Sequence, residues 1–237
     1  MQNASNGTTV ALSSTDIPID LALGQNDTVY VLYQSQHYVA VYNSTPTVGT
    51  QVAGVRGTSS SATNHLSSPS GLTMDNDNNL YIADTNNRRV VKWELGAASG
   101  TVVIQANSSY SFTDIVLVPG TSNQVYISST ASSVVYQWTF GATSPSLTLL
   151  QVNGSAPNTL QGPRGIKVDP YGNLYVADTG NDRIVRFCSG STLGTVVIDE
   201  NWGPVNLLLP VDLAFDSALN LYLVDQDGNK IYRYAKL

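Results

Sequence analysis

Cysteine and histidine are almost missing from this chain of 237 residues, which holds one cysteine, Cys188, and two histidines, His37 and His65. A lone cysteine cannot form an intramolecular disulfide, so cysteine usage does not report the compartment. With no His or other base fixed beside it, Cys188 reads as a buried or idle thiol. Two isolated histidines fall short of a multi-histidine zinc pattern, and they read as structural, His37 in a turn and His65 in the Ser/Thr-rich loop 57–68. Charge is scarce too: only 12% of the residues are charged, 17 acidic against 11 basic, for a net charge of -6. That balance excludes the clustered Lys and Arg that track nucleic acid or anionic lipid. No run of about eighteen uncharged apolar residues is present to cross a bilayer. G-x-S-x-G, Walker and Rossmann signatures are all missing. What is there is apolar enough, at 42% of residues, to exclude disorder and to build a sizeable core.

Residues 1–16 lack the basic start and apolar core of a signal peptide, although Met1 could stand in place of an upstream leader. N-x-S/T sequons begin at Asn3, Asn6, Asn26, Asn43, Asn107 and Asn153. A chain rich in Asn, Ser and Thr makes several by chance; with the low lysine content they lean toward an extracellular or cell-surface setting.

The strongest signal is an internal repeat. The run Pro69–Asp75, Asn79–Asp84, Arg89–Trp93 recurs as Pro163–Asp169, Asn173–Asp178, Arg183–Phe187, and again from Pro210 through Asn220–Asp225 to Lys230–Tyr234. Two looser copies surround Val29–Tyr33 with Tyr38–Tyr42, and Val125–Ser129 with Val134–Trp138. The shared tyrosines Tyr30, Tyr81, Tyr126, Tyr175 and Tyr222 are spaced by 51, 45, 49 and 47 residues. Such a unit suits four short strands, since a strand averages about five or six residues and turns take the rest. Short β-branched and aromatic runs between Asn, Asp and Gly turns exclude a helical solenoid.

The predicted fold is therefore all-β: a β-propeller of five four-stranded blades in a single domain, 1–237, with blade cores at about 17–53, 69–104, 112–150, 163–198 and 210–234. Strand a follows the Pro, strand b carries the Tyr, strand c ends on an aromatic residue, and strand d appears as Gly100–Ile104 and Gly194–Ile198. The fifth unit stops after strand c. Residues 7–12, Gly-Thr-Thr-Val-Ala-Leu, match a d strand and are predicted to close the last blade, removing an exposed edge.

The unit P-x-G-[LI]-x-x-D, N-L-Y-[VI]-A-D, T-x-N-x-R-[VI] resembles the NHL repeat, specifically in the second and fourth units. NHL propellers usually have six blades, so the resemblance leaves two readings: a five-bladed variant, or part of a six-bladed propeller. Relatives of this kind include RNA-binding propellers with a basic face, which this acidic chain does not present, and peptide-amidating lyases that hold zinc with several histidines, which it lacks. Propeller lactonases place calcium in the channel with Glu, Asn and Asp, whereas Glu94 and Glu200 stand away from strand a.

The repeated polar residues read first as structural. Asp84, Asp178 and Asp225 end strand b, where a carboxylate accepts turn amides. Asn87 and Asn181 fall in the same turn, where left-handed backbone is tolerated. Arg89, Arg183 and Lys230 start strand c, with stems on the sheet or charges paired to a neighbouring blade's Asp. At the second position after the Pro, Gly71 and Gly165 keep the repeat's glycine, while Asp20, Asp114 and Asp212 take the equivalent places in the other units. Together with Arg164 and Ser70 these would form a polar or cation site at the channel mouth; otherwise each Asp caps amides of an adjacent strand. The sequence thus predicts a non-catalytic, monomeric interaction module that binds a protein or glycan partner through its loop face, without cofactor, nucleic acid or membrane insertion. The alternative is a calcium-dependent hydrolase, lactonase or lyase in which Asp20, Asp114 and Asp212 hold the metal.

Overall fold

A computed structural model describes residues 16–25, 28–43, 49–153, 158–199 and 207–236. The predicted closing strand, residues 7–12, lies outside the described residues. Among the described residues all regular structure is β apart from two single 3-10 turns, Thr85–Asn87 and Thr179–Asn181. The chain is a five-bladed β-propeller, and its contacts divide it into two compact units, Met1–Val102 and Val103–Leu237.

The first unit holds two antiparallel sheets in simple up-and-down order. One is β1 (Asp20–Leu23), β2 (Val29–Tyr33), β3 (Tyr38–Tyr42) and β4 (Thr50–Gly54); the other is β5 (Gly71–Met74), β6 (Leu80–Asp84), β7 (Arg89–Trp93) and β8 (Thr101–Gln105), whose last residues pass the unit boundary. Every residue of β6 is buried. A strand covered on both faces gains nothing from polar alternation, and this explains the unbroken run Leu-Tyr-Ile-Ala-Asp. Tyr30, Leu32, Leu72, Leu80, Ile82, Val91 and Trp93 pack between the two sheets as one core.

The second unit holds three sheets. The first comprises β9 (Ile115–Leu117), β10 (Gln124–Ser129), β11 (Val134–Thr139) and β12 (Leu147–Leu149). After a short strand β13 (Gln151–Asn153) come β14 (Ile166–Val168), β15 (Leu174–Asp178), β16 (Arg183–Phe187) and β17 (Leu193–Ile198). β13 joins this sheet at its outer edge, parallel to β17, so the sheet has five strands where four were expected. Its pairing is with a strand far along the chain, and no local signal announces it. The last sheet, β18 (Pro210–Phe215), β19 (Leu221–Asp225) and β20 (Lys230–Tyr234), has three strands among the described residues.

Aromatic ends of the c strands are anchored by their own turns. The indole Nε1 of Trp93 donates to the Ala97 carbonyl at 2.9 Å, and that of Trp138 to the Ala142 carbonyl at 3.1 Å. A buried indole needs such a partner, and the c–d turn supplies it without interrupting the core. Cys188, just past β16, is exposed rather than buried, correcting one of the two readings of that thiol.

Candidate functional site

Two sets of repeated polar residues occupy opposite ends of the b strands. The first is at the b–c hairpin. In the second blade, Asp84 is fully buried; its Oδ2 accepts from Arg89 Nε at 2.7 Å and from Asn87 Nδ2 at 2.8 Å, and its Oδ1 accepts the Ser67 amide. Arg89 then extends to the incoming loop, donating to the carbonyls of Ser61, Ala62 and His65, while Asn87 reaches the carbonyl of Ser60. The pair is therefore a clamp: a hairpin of one blade grips the loop that enters it from the blade before. The fourth blade repeats it. Asp178 Oδ2 accepts from Arg183 Nε at 2.7 Å and from Asn181 Nδ2 at 2.9 Å, and its Oδ1 accepts the Gln161 amide, while Arg183 and Asn181 both donate to the Thr159 carbonyl.

These contacts settle two expectations. Arg89 and Arg183 pair with the Asp of their own blade, not a neighbouring blade's, because Asp84↔Arg89 and Asp178↔Arg183 are directly opposite in the hairpin register. The left-handed residue of the turn is not Asn87 or Asn181 but the residue after it. Arg88 (φ 52) and Asp182 (φ 50) take that conformation, as do His37, Ser133 and Asn229, each immediately before strand c. The asparagines contribute their side-chain amides, which bond the Asp of the turn and a carbonyl of the incoming loop.

The other blades fill the same place differently. In the fifth blade Asp225 accepts the amides of Leu208 and Leu209, but Lys230 is exposed, its Nζ 5.9 Å from the Tyr232 ring centre. In the first blade Tyr33 and Tyr38 replace the Asp and Arg and stack at 4.8 Å. Tyr38 donates to buried Asp16, which also pairs with Arg56 at 2.9 Å. Burial and the Asp16 hydrogen bond push the Tyr38 hydroxyl well above its ordinary pKa.

The second set lies at the a–b turn and escaped the sequence reading, although its residues stood in the quoted repeat. Asp75 Oδ1 accepts the amides of Asp77 and Asn79, and its Oδ2 accepts from Asn79 Nδ2 and from the Tyr81 hydroxyl. Asp169 with Asn173 and Asp216 with Asn220 repeat the ring. The D-x-x-x-N spacing was the available signal. Burial acts to raise the Asp75 pKa, but the Asn79, Tyr81 and Asp77 hydrogen bonds outweigh it and hold the carboxyl below its ordinary value.

At the start of the a strands, Asp20 Oδ2 accepts the Leu72 amide at 2.6 Å and Oδ1 accepts that of Leu21 at 2.8 Å. Asp114 does the same one blade pair further on, with the amides of Ile166 at 2.9 Å and Ile115 at 2.7 Å. Each carboxylate straps the a strand of its blade to the a strand of the next. Asp212 accepts the Leu213 amide at 2.8 Å. Gly165 lies against it: a Cβ at position 165 would stand 2.6 Å from Asp212 Cα, so the close approach of the neighbouring strand requires glycine there. Within the second unit Asp114 and Asp212 are near enough to interact, and Lys167 Nζ is 3.7 Å from Asp114 Oδ2. Burial raises the Asp114 pKa most, Lys167 opposes it, and the Asp212 charge adds to the rise. Ser70 bonds Thr85 Oγ1 at 2.6 Å, and Arg164 Nη1 reaches Gln226 Oε1 at 3.3 Å. Among the described residues no group of three or more His, Cys, Asp or Glu gathers as a metal site.

The NHL repeat family matches the chain at residues 66–93 and 160–187, the two blades that carry the complete Asp–Asn–Arg clamp. The chain is a β-propeller that carries two NHL repeats. No curated protein matches it in sequence. Among solved structures it is similar to a chain of the nidogen/laminin complex, at 18% identity and a TM-score of 0.71 over 92% of this chain and 75% of that one. It is also similar to a catalytically inactive virginiamycin B lyase from Staphylococcus aureus with quinupristin, at 12% identity and 0.63 over 94% and 71%. An auxiliary nutrient binding protein from Bacteroides ovatus aligns at 13% identity and 0.67 over 91% and 58%. Identities this low carry the fold alone, and the three do not share a task.

Proposed function

We propose that this propeller is a non-catalytic interaction module that binds a protein or glycan partner through the loops gripped by its b–c hairpins. One observation carries the reading. The loop entering the second blade is fixed by Asp84, Asn87 and Arg89 at Ser60, Ser61, Ala62, His65 and Ser67, while Thr58, Ser59, Ser61, Thr63 and Asn64 face solvent. A loop held on its inner side and polar on its outer side is ordered before a partner arrives, so association loses less conformational entropy. Small hydroxyl and amide side chains suit hydrogen bonding to a peptide backbone or a sugar. The strand-a carboxylates Asp20 and Asp114 already serve backbone amides, which favours a supporting role for them over metal catalysis. The nidogen/laminin likeness is consistent with an interaction role, and the virginiamycin B lyase likeness keeps a lyase or calcium-dependent hydrolase as the competing reading.

The test is a screen of the immobilised chain on a glycan array and against a displayed library of extracellular proteins, repeated with Thr63→Lys and Asn64→Lys. Binding that both substitutions weaken, at an unchanged melting temperature, supports the reading. Calcium-dependent turnover of lactone or ester substrates by the purified chain would overturn it.

A further inference from the structure

A cleft of about 160 Å³ opens between the two blades of the first unit, at the ends of the strands opposite the gripped loops. Its floor is Tyr30, Leu80 and Trp93, its outer wall Leu95. Leu95 is 64% exposed, so its apolar surface is open to a partner. Drug-sized ligand pockets run from about 300 Å³ upward, so this one suits a single side chain presented by a larger partner.

The polar groups of the cleft narrow the chemistry. Gln51 is already engaged at both ends, donating to the Gly54 carbonyl and accepting from the Arg56 amide. Asn78 Oδ1 accepts the Gln25 amide. Besides the Asn78 Nδ2 amide, two groups remain available. Tyr30 is 5% exposed and its hydroxyl meets no hydrogen-bond partner among the described residues, while burial raises its pKa and keeps it a neutral phenol. Glu94 stands at the rim with its side chain 68% exposed, touched only on Oε1 by Lys92 at 3.3 Å. No Lys, Arg or His lines the cleft, and Lys92 beside its rim is already paired with Glu94. A wholly apolar group would cover the Tyr30 hydroxyl without giving it a hydrogen-bond partner, which is costly.

We propose that this cleft binds a cationic side chain, lysine or arginine, of a peptide partner. The aliphatic stem packs on Leu80 and Leu95, the aromatic floor of Tyr30 and Trp93 favours the charge, the Glu94 carboxylate pairs with it, and Tyr30 accepts one of its N–H groups. The net charge of -6 favours encounter with a basic segment. The inference does not rest on the gripped-loop reading, because the cleft lies at the other strand ends and shares no residue with it.

The experiment is titration of the 15N-labelled chain with acetyl-Gly-Lys-Gly-amide and its arginine counterpart, with the norleucine and glutamate peptides as controls. The lysine or arginine peptide is expected to shift the Trp93 indole and the Leu95 and Gly96 amides saturably, with norleucine at least about fivefold weaker and glutamate inactive. Glu94→Gln, whose fold is verified by an unchanged spectrum outside the cleft, is expected to weaken the cationic peptide about fivefold. Equal binding of norleucine, equal binding by Glu94→Gln, or no shift of these signals with either cationic peptide would overturn the proposal.

Discussion

The carboxylate of Asp20 and the backbone amide of Leu72 meet at 2.6 Å, tying the first strand of one blade to the first strand of the next. The same tie joins Asp114 to Ile166 at 2.9 Å. An a strand in a propeller pairs on one side only, so its outer amides need acceptors from elsewhere, and an aspartate two residues past the repeat's proline position provides one.

Replacing Asp114 by Ala removes the acceptor from a buried Ile166 amide. A loss of about 1–3 kcal/mol is expected in urea unfolding, the cost of an unsatisfied buried donor. Asp114→Asn, which keeps an oxygen for the amide, is expected to lose less. Equal losses for the two variants would mean that the strap is not what the carboxylate provides.

The clamp arginines and their lysine counterpart should separate sharply. Arg183 and Asp178 expose 4% and 0% of their side chains, so Arg183→Ala strands a buried carboxylate and is expected to cost about 3–5 kcal/mol. Lys230 occupies the equivalent strand position but is exposed, and Lys230→Ala is expected to change stability by no more than about 0.5 kcal/mol. Denaturant midpoints of the two variants check both values.

How much of this was legible in the sequence depends on how local the cause is. Strands b and c could be read because Leu80–Asp84 and Arg89–Trp93 are β-rich runs between turn residues, and their burial is written in their own composition. The left-handed residue before strand c could not, since His37, Arg88, Ser133, Asp182 and Asn229 share no chemistry and the hairpin geometry alone imposes the conformation. Asp20 and Asp114 could be placed at the start of strand a, but their acceptors and donors lie a whole repeat apart in sequence. The cleft beside Trp93 depends on two blades at once and left no trace in either repeat.

The a–b turn makes a pH prediction. Asp75 has its folded pKa held below the ordinary value by Asn79, Tyr81 and the Asp77 amide, against the opposing pull of burial. A carboxylate with a depressed folded pKa contributes stability that is present above its unfolded pKa of about 4 and is lost as the pH falls through the lower folded value. The stability difference between the parent chain and Asp75→Asn is therefore expected to be larger at pH 7 than at pH 2. A difference that grows on acidification would contradict the assignment.

Gly165 tests the packing beside Asp212. A Cβ there would stand 2.6 Å from both the Cα and Oδ1 of Asp212, and backbone cannot swing away as a flexible side chain can. Gly165→Ala is expected to destabilise by about 1–3 kcal/mol, as overpacking does, and the loss is read from the thermal midpoint.

The most direct test of the account is thermal unfolding of the purified chain in EDTA and then with added calcium. If Asp20, Asp114 and Asp212 serve strand amides and the chain binds partners through its loops, calcium leaves the melting temperature unchanged. A metal held by the folded state at one hundred times its Kd would add about 2.7 kcal/mol and raise the midpoint by a few degrees. Such a rise, lost when Asp20, Asp114 and Asp212 are changed to Asn, would contradict the account and favour a calcium-dependent enzyme.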